Sequence, residues 1–276
     1  MMKEYFDLNK QIVHLAIDKS VMFEHAEISA VKEMLYDNNY RNFVSCSKIK
    51  YAELIGSDLI MYRTASFKEW KSYFKMDCRI SKYLMGNLID FERTINSRIS
   101  HQISVLMASN QLSNFERNTI VQIIRSSQRK KLSLKNGQNL VDVYNGQNTW
   151  EFITKMTFGE MKQLLFWLFD YQREIYLEIV KGYRFLQSLK CAKKRINEIN
   201  RMRNNLFHFR PLNVYITHGS SAPNDCTVLN NKFRKEAVDF VLRLRNEREI
   251  SLEVKQIFEH SDHYVKIKNS QRMSAR

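Results

Sequence analysis

Apolar residues recur at steps of three and four positions through several long stretches of the chain, which is the period of an amphipathic helix. The clearest stretch begins at Ser66-Phe67-Lys68-Glu69, where a serine and a glutamate three residues apart have capping-box spacing. An apolar stripe follows from Trp70 to Leu106. The pattern predicts a helix that reaches about Ala108, either unbroken or broken near Ser81.

The same period predicts helices before and after this stripe. They cover about residues 26–37, Asn114 to Ser127 with Asn114 as the N-cap, 150–169, 172–209 and 231–247. Asn38-Asn39 and Pro211 end the first and the fourth of them. Residues 40–61 fit no single pattern. Loops are predicted at 129–149, a basic stretch with two Asn-Gly pairs, and at 217–230, and a poorly ordered basic tail at 266–276.

Few residues in this chain favour sharp turns. It has 7 Gly and 2 Pro among 276 residues. Because sheet-rich folds use glycine and proline at their many turns, this scarcity predicts long helices and an all-α fold. We expect one compact unit, with an N-terminal helical region at 1–65, a helical bundle at 66–250 that contains the loop-rich insertion 129–149, and a basic tail at 251–276.

Composition excludes several classes of protein. Hydrophobic residues make up 44% of the chain, enough for a core, so the chain is not disordered. The longest apolar run, Leu164 to Phe169, is too short to span a bilayer, and the first ten residues lack the apolar stretch of a secretion signal. The four cysteines lie far apart, without zinc-ligand spacing. We expect a cytoplasmic protein with reduced thiols and no metal or cofactor.

The net charge of +15 adds a partner to this picture. Such an excess of Lys and Arg favours a polyanion, with nucleic acid ahead of an anionic membrane surface, although many basic proteins are simply well solvated. Acid–base chemistry near neutral pH then directs attention to the seven histidines. Six have plain surroundings. Among them His101 follows Arg98 by three residues, a spacing typical of a structural contact.

His208 differs because it ends the sequence Arg203-Asn204-Asn205-Leu206-Phe207-His208 on a basic helix. An imidazole can take the proton of an RNA 2′-hydroxyl as that oxygen attacks the phosphate, or protonate the leaving 5′ oxygen. A guanidinium can hold the phosphate oxygens, and Asn204 shares a helical face with His208. This route needs no metal. The spacing alone recurs by chance in so basic a chain, and cations can equally stabilise the carbonyl end of a helix.

The sequence R-N-x-x-x-H is similar to the catalytic motif of HEPN ribonucleases, and the chain around it resembles the abortive-infection proteins of the Abi type (AbiD/AbiF-like), a bacterial phage-defence family. Three stretches carry the resemblance: Leu35 to Phe43 (LYDNNYRNF), Phe67 to Ile99 with the acidic residue of Tyr73 to Asp77, and Trp150 to Leu168 (WEFITKMTFGEMKQLLFWL). With the motif they span about residues 25–212, in the order of the family.

The resemblance implies a HEPN-like helical bundle whose homodimer joins two motifs in one cleft. It implies a metal-independent endoribonuclease toxin of anti-phage abortive infection, which leaves a 2′,3′-cyclic phosphate and a 5′-hydroxyl. Arg203, Asn204 and His208 are then the catalytic candidates, with Glu92 on an earlier helix as a supporting candidate. The family often has a second histidine where this chain has Phe209. Some Abi-type proteins are restrained by a small structured RNA, which acts as an antitoxin.

Further basic residues could guide RNA toward the motif. Those near it are Lys190, Lys193, Lys194, Arg195, Arg201 and Arg210, and a second run holds Arg129, Lys130 and Lys131. A solvated surface is the alternative for both groups. For the whole protein, the alternatives to a nuclease are an RNA-binding protein that holds a structured small RNA without cleaving it, and a helical interaction protein.

Overall fold

Helices make up most of the computed structural model, which describes residues 7–55, 59–128, 148–218, 228–244 and 250–274. In these ranges the helices are α1 (Leu8–Asp18), α2 (Ile28–Asn38), α3 (Tyr40–Tyr51), α4 (Phe67–Ala108), α5 (Asn114–Gln128), α6 (Thr149–Thr154), α7 (Phe158–Tyr171), α8 (Arg173–Ile179), α9 (Arg184–Gln187), α10 (Ala192–Phe207), α11 (Leu212–His218), α12 (Val228–Arg243) and α13 (Ser251–Ser274). Short 3₁₀ turns precede α2 and α10. The predicted all-α class is confirmed.

The strands of the described ranges are short and form two small pairs. β1 (Val21–Met22) pairs in parallel with β4 (Ala65–Ser66), and β2 (Ala52–Ile55) pairs antiparallel with β3 (Leu59–Tyr62). Residues 40–61, which fit no single sequence pattern, therefore hold α3 and most of the β2–β3 pair.

Contacts divide the chain into two compact units. The first consists of Met1–Asn87 and Arg201–Arg276, and the second of Leu88–Asn200. Helices α4 and α10 each supply residues to both units. These boundaries do not follow the expected segments 1–65, 66–250 and 251–276, because residues from both ends of the chain build the first unit.

Helix α4 begins as its capping box predicts and runs unbroken through Ser81. The Glu69 carboxylate accepts hydrogen bonds from the Ser66 N–H at 2.8 Å and the Ser66 hydroxyl at 2.9 Å, and Ser66 Oγ accepts one from the Glu69 N–H at 3.3 Å. At α5 the prediction of Asn114 as N-cap is wrong by one residue. Ser113 forms the same reciprocal box with Glu116.

The basic stretch 172–209 is not one helix, contrary to its sequence pattern. It is divided among α8, α9, a 3₁₀ turn and α10. Gly182 has a φ of +88°, a left-handed value that interrupts helical geometry between α8 and α9. At this break Arg98 Nη1 donates hydrogen bonds of 2.8 Å to the carbonyls of Ile179 and Lys181. Backbone geometry and the contacts of the partly buried Arg98 here override the amphipathic period.

The C-terminal residues require a second correction. The basic composition of 266–276 predicts a poorly ordered tail, whereas α13 extends to Ser274. Tyr264 and Ile267 are buried and pack with Ile49 of α3. Lysines lie directly between and beside these apolar residues in the sequence, so average composition conceals the apolar face.

Three other predictions meet the structure in part. The apolar run Leu164 to Phe169 lies in α7, where its three leucines are buried within the second unit. The helix predicted at 231–247 is α12, which begins at Val228 and ends at Arg243. Both ends of the polar loop predicted at 217–230 are helical, because α11 extends to His218 and α12 begins at Val228. Nearly all of the predicted insertion 129–149 lies outside the described residues.

The core of the first unit is aromatic where α3 meets the start of α4. The ring centroid of Phe43 lies 5.6–6.0 Å from those of Phe67, Trp70 and Phe74. Tyr51 stacks on Trp70 with ring centroids 5.4 Å apart. This packing fixes α3 against α4, and both helices contact the chain that follows α10.

Candidate nucleic-acid site at the end of helix α10

The predicted motif lies at the carbonyl end of α10, where the helix stops in a left-handed turn. Phe209 has a φ of +54°. Its N–H donates to the Leu206 carbonyl at 2.9 Å, and the Arg210 N–H donates to the Asn205 carbonyl at 3.1 Å. This pair of hydrogen bonds defines a Schellman helix end. His208, the residue before the left-handed one, is therefore held by a well-defined backbone.

Arg203 and Asn204 are linked through their side chains. Arg203 Nη1 donates to Asn204 Oδ1 at 3.3 Å. The guanidinium lies over the Phe207 ring, 4.3 Å from the ring centroid, in a cation–π contact. Stacking on a side chain one helical turn later restrains the guanidinium at the helix end.

His208 and Asn204 are both exposed and lie one helical turn apart. The His208 N–H donates to the Asn204 carbonyl at 3.1 Å, so helical hydrogen bonding continues as far as the histidine. A ligand in solvent can therefore reach the imidazole and the amide from the same end of α10.

Three arginines set the charge of this site. The carbonyl end of a helix carries about half an elementary negative charge, which by itself repels a phosphate. Arg201 and Arg210 are exposed at this end and Arg203 is partly exposed. Their positive charges oppose the helix dipole at this end.

Two adjacent asparagines in the motif have opposite environments. Asn204 is exposed, whereas Asn205 is buried. Asn205 Nδ2 donates to the carbonyls of Arg210 and Pro211 at 3.5 and 3.4 Å. Asn205 thus secures the chain as it leaves the helix, while Asn204 remains available to a ligand.

A buried carboxylate anchors the next helix. Asp77 of α4 accepts hydrogen bonds from the backbone N–H groups of Leu212 at 2.7 Å and Asn213 at 2.9 Å, at the start of α11. The Ser81 hydroxyl donates to the same carboxylate at 3.3 Å. Burial raises the pKa of Asp77 to about 6, although these hydrogen bonds favour the charged form and act in the opposite direction.

Asn213 extends this anchor to α3. Its Nδ2 donates to the Cys46 carbonyl at 2.7 Å and to Tyr73 Oη at 3.3 Å. Burial raises the pKa of the Cys46 thiol and of the Tyr73 hydroxyl, so both groups stay neutral at physiological pH. A buried polar network therefore joins α3, α4 and α11 directly beyond the His208 turn.

Sequence reasoning did not assign Asn42 or Asp77 to the site. Asn42 Nδ2 donates to the Phe209 carbonyl at 3.1 Å, and Asp77 fixes the segment that follows. One signal was available for Asp77, because it is a carboxylate in an apolar stripe with no Lys or Arg three or four positions away. Asn42 has no such signal, since its partner is a backbone atom 167 residues away.

Two predicted RNA-binding residues make structural contacts within the second unit. Lys193 pairs with Asp170 at 2.6 Å, and Arg195 Nη1 donates to the Phe185 carbonyl at 2.8 Å. The Arg195 guanidinium also lies over the Phe185 ring, 4.8 Å from its centroid. These contacts occupy both cations, so a role in RNA binding would be additional to a structural one.

The remaining candidates are divided between the units. Lys190 and Lys194 are exposed in the second unit. Glu92 is partly buried on α4, also in the second unit, whereas His208 belongs to the first. The part assigned to Glu92 stays a prediction. Arg129, Lys130 and Lys131 lie outside the described residues.

Metal binding and membrane insertion would each require a recognisable feature of the structure. Nowhere in the described ranges do His, Cys, Asp and Glu side chains gather in threes that could hold a metal ion. None of the helices there combines the length and apolar character needed to cross a bilayer.

Comparisons of the chain with known protein families, with curated proteins and with solved structures find no match. The resemblance to Abi-type proteins and HEPN ribonucleases therefore stays a prediction from the sequence.

Proposed function

We propose that this protein is a metal-independent endoribonuclease of the HEPN type, acting as a toxin in bacterial anti-phage abortive infection. One observation carries the proposal. Arg203, Asn204 and His208 lie together at the exposed end of α10, with the guanidinium bonded to the amide and the imidazole open to solvent. These are the groups that cleavage of a phosphodiester by its own 2′-hydroxyl requires.

In the proposed reaction His208 takes the proton from the 2′-hydroxyl while that oxygen forms a bond to the phosphorus. The bond from phosphorus to the 5′ oxygen breaks, and the leaving oxygen takes a proton. The products are a 2′,3′-cyclic phosphate and a 5′-hydroxyl. Arg203 stabilises the charge that builds on the phosphate oxygens, and Asn204 orients the guanidinium through their 3.3 Å hydrogen bond.

The two proton transfers call for two proton carriers, and each copy of the motif supplies one imidazole. We therefore include a homodimer in the proposal, in which two copies of the α10 end share one RNA. The exposed position of His208 supports this arrangement, because a second copy can approach it.

The residues that hold the His208 turn also support the family assignment. Asn42 comes from the first stretch that resembles Abi-type proteins, and Asp77 from the second. Asn42 binds the Phe209 carbonyl and Asp77 caps the following helix. Two of the three stretches thus contribute a residue that positions the chain directly after the motif.

The decisive experiment compares His208→Ala with His101→Ala in RNA cleavage assays that contain a metal chelator. We expect His208→Ala to slow cleavage by about 10²–10⁴-fold, the usual contribution of a general acid or base. His101→Ala removes an exposed histidine of the second unit and should cleave at the wild-type rate. Wild-type cleavage by His208→Ala, with folding verified by thermal unfolding, would refute the proposal.

The presence of a single imidazole in each motif also supports an alternative function, namely RNA binding without cleavage. A protein that stays monomeric would hold a structured small RNA through Arg203 without cleaving it. Analytical ultracentrifugation and the chelator-containing assay separate the two functions. A monomer that binds RNA with no cleavage in any condition would favour the binding protein over the nuclease.

A further inference from the structure

A second group of cations lies in the first unit and was not singled out by the sequence. We call Lys19, Arg41, Lys48 and Lys268 the α3 cationic cluster. Arg41 and Lys48 are on α3, Lys19 directly follows α1, and Lys268 is on α13. Residues from three distant parts of the chain come together only through the fold.

Apolar packing beneath the cluster holds it in place. Ile49 of α3, Tyr264 and Ile267 of α13 form one buried group, against which Tyr62 of β3 packs. Lys19 Nζ lies 4.5 Å from the centroid of that Tyr62 ring. Each remaining lysine is adjacent in sequence to a member of the buried group. Lys48 precedes Ile49, and Lys268 follows Ile267.

The cluster carries an excess of positive charge that the fold does not neutralise. Within the described residues, none of the four side chains forms an ion pair with a carboxylate. The nearby acid is Asp18, which pairs with His14. Burial lowers the pKa of Lys48, and Lys19, Lys268 and Arg41 lower it further. Burial also lowers the pKa of Lys19, which Asp18 partly offsets.

A partly buried lysine beside three other cations is unfavourable for folding, since like charges repel more strongly in a desolvated setting. Ordinary surface lysines avoid this cost by extending into water. An anion bound at the cluster would reverse the sign of the interaction. The arrangement is therefore that of a site whose counter-charge comes from a ligand.

One member of the cluster is adjacent in sequence to a residue that contacts the candidate active site. Arg41 directly precedes Asn42, whose side chain binds the Phe209 carbonyl in the His208 turn. From Arg41 to Lys48 is seven residues along α3, or about 10 Å at the rise of an α-helix. A chain of phosphates that passes His208 could thus continue along this face.

We propose that the α3 cationic cluster binds the phosphodiester backbone of RNA next to the His208 turn. The inference rests on the proposed function for its choice of RNA, but its test does not use cleavage. Because the contacts are to phosphates, binding here is expected to be insensitive to base sequence and strongly dependent on salt.

The test is the triple variant Lys19→Gln, Lys48→Gln, Lys268→Gln. Its probe is a fluorescent single-stranded 2′-O-methyl oligonucleotide, which has no 2′-hydroxyl to attack, and its readout is anisotropy over a range of salt. Each phosphate contact on a single strand contributes about 0.7 to the magnitude of the negative slope of log K against log salt. Loss of three contacts should therefore reduce that magnitude by about 2. Thermal unfolding should show an equal or higher midpoint, because repulsion is relieved.

The matched control is Lys68→Gln, Lys232→Gln, Lys255→Gln, which removes the same charge from three exposed lysines of the first unit. Its slope should fall by less than about 0.7. Equal losses in the two variants would overturn the proposal, as would a wild-type protein that binds anionic phospholipid vesicles and not the oligonucleotide. If the triple variant fails to fold, the exposed Arg41→Gln alone should lower the slope by about 0.7.

These results separate the binding surface from the nuclease. If the triple variant binds the oligonucleotide more weakly and His208→Ala cleaves RNA at the wild-type rate, the proposed RNA-binding role of the cluster is supported and the proposed nuclease activity is refuted. If His208→Ala loses cleavage and the triple variant binds the oligonucleotide as tightly as its control variant, the proposed nuclease activity is supported and the proposed role of the cluster is refuted.

Discussion

Two Arg–His pairs in this protein share a short spacing in the sequence and have different surroundings. The α4 pair is Arg98 and His101 in the second unit, and the α10 pair is Arg203 and His208 in the first. Arg98 Nη1 donates to two backbone carbonyls at 2.8 Å. Arg203 instead lies over an aromatic ring and bonds to a side-chain amide. The first arginine closes a helix end, whereas the second presents its charge at one.

The ligand environment of the two pairs differs as well. A cleft of about 330 Å³ beside the α4 pair is lined by His101 and Arg98 but also by Glu178, whose carboxylate repels phosphate. At the α10 pair the nearest cations in the sequence are Arg201 and Arg210, both exposed. The presence of arginine and histidine at short spacing therefore predicts little, and the partners of the guanidinium decide between a structural and a chemical part.

The largest expected effects, on RNA cleavage and on stability, come from replacing the arginine of each pair separately by alanine. Arg203→Ala should slow RNA cleavage by about 10²–10³-fold, since it removes a donor that stabilises transition-state charge. Its unfolding free energy should change by about 1 kcal/mol or less, the size of an exposed cation–π contact. Single-turnover cleavage and urea unfolding measure the two quantities.

Arg98→Ala is the matched control, and it should lower stability while leaving the rate of cleavage unchanged. Loss of two charge-assisted hydrogen bonds should lower the unfolding free energy by about 2–3 kcal/mol, with cleavage unchanged. If Arg98→Ala impairs cleavage as much as Arg203→Ala does, the contrast between the pairs is wrong.

A smaller effect concerns pH, because the anchor beyond the α10 pair is titratable and the carbonyls that hold Arg98 are not. The pKa of Asp77 is about 6 in the folded protein, above its ordinary 3.8. Its contribution to stability is therefore complete below pH 3.8 and is lost as pH rises through about 6. Compared with Asp77→Asn, the wild type should lose up to about 3 kcal/mol of unfolding free energy across this range.

Urea unfolding of both proteins at several pH values gives this difference directly. The comparison is needed because His260 acts in the opposite sense. Burial lowers the pKa of His260 from 6.5 to about 4, so its contribution is present above pH 6.5 and is lost as pH falls through about 4. His260 is common to both proteins and cancels. Parallel pH profiles would show that Asp77 keeps its ordinary pKa.

The smallest effect tests the strain in the α10 turn, which the continuous helix around Arg98 does not share. Phe209 adopts a φ of +54° although it is 79% exposed and so gains little from burial. Phe209→Gly should raise the unfolding free energy by about 0.5–1 kcal/mol, because glycine adopts this conformation without steric cost. Phe209→Ala removes the ring and keeps the strain, so it should show no gain. Equal stabilities of the two variants would contradict this account.

Local signals in the sequence predicted much of the fold. The box at Ser66 and the stripe of α4 depend on residues three or four positions apart, which a sequence displays directly. The break at Gly182 and the order of α13 were not predictable in this way. Both depend on contacts with distant residues, Arg98 in one case and Ile49 in the other.

In the candidate site, too, the residues of a local motif were predictable and the residues that depend on distant contacts were not. Arg203, Asn204 and His208 were found because they form a contiguous motif. The residues that fix the chain around them, Asn42 and Asp77, bind backbone atoms more than a hundred residues away. The α3 cationic cluster was likewise invisible, since its members come from three separate parts of the chain.

The discontinuous first unit has a consequence for the order of synthesis. Asn42 leaves the ribosome 167 residues before Phe209, its hydrogen-bond partner. At 5–20 residues per second this interval is about 8–33 s, during which the contiguous segment 88–200 can already fold. The His208 turn therefore meets Asn42 and Asp77 only after residues 88–200 have been synthesised. A nascent chain that ends before residue 203 would carry Asn42 and Asp77 without the three groups on which the proposed ribonuclease activity depends.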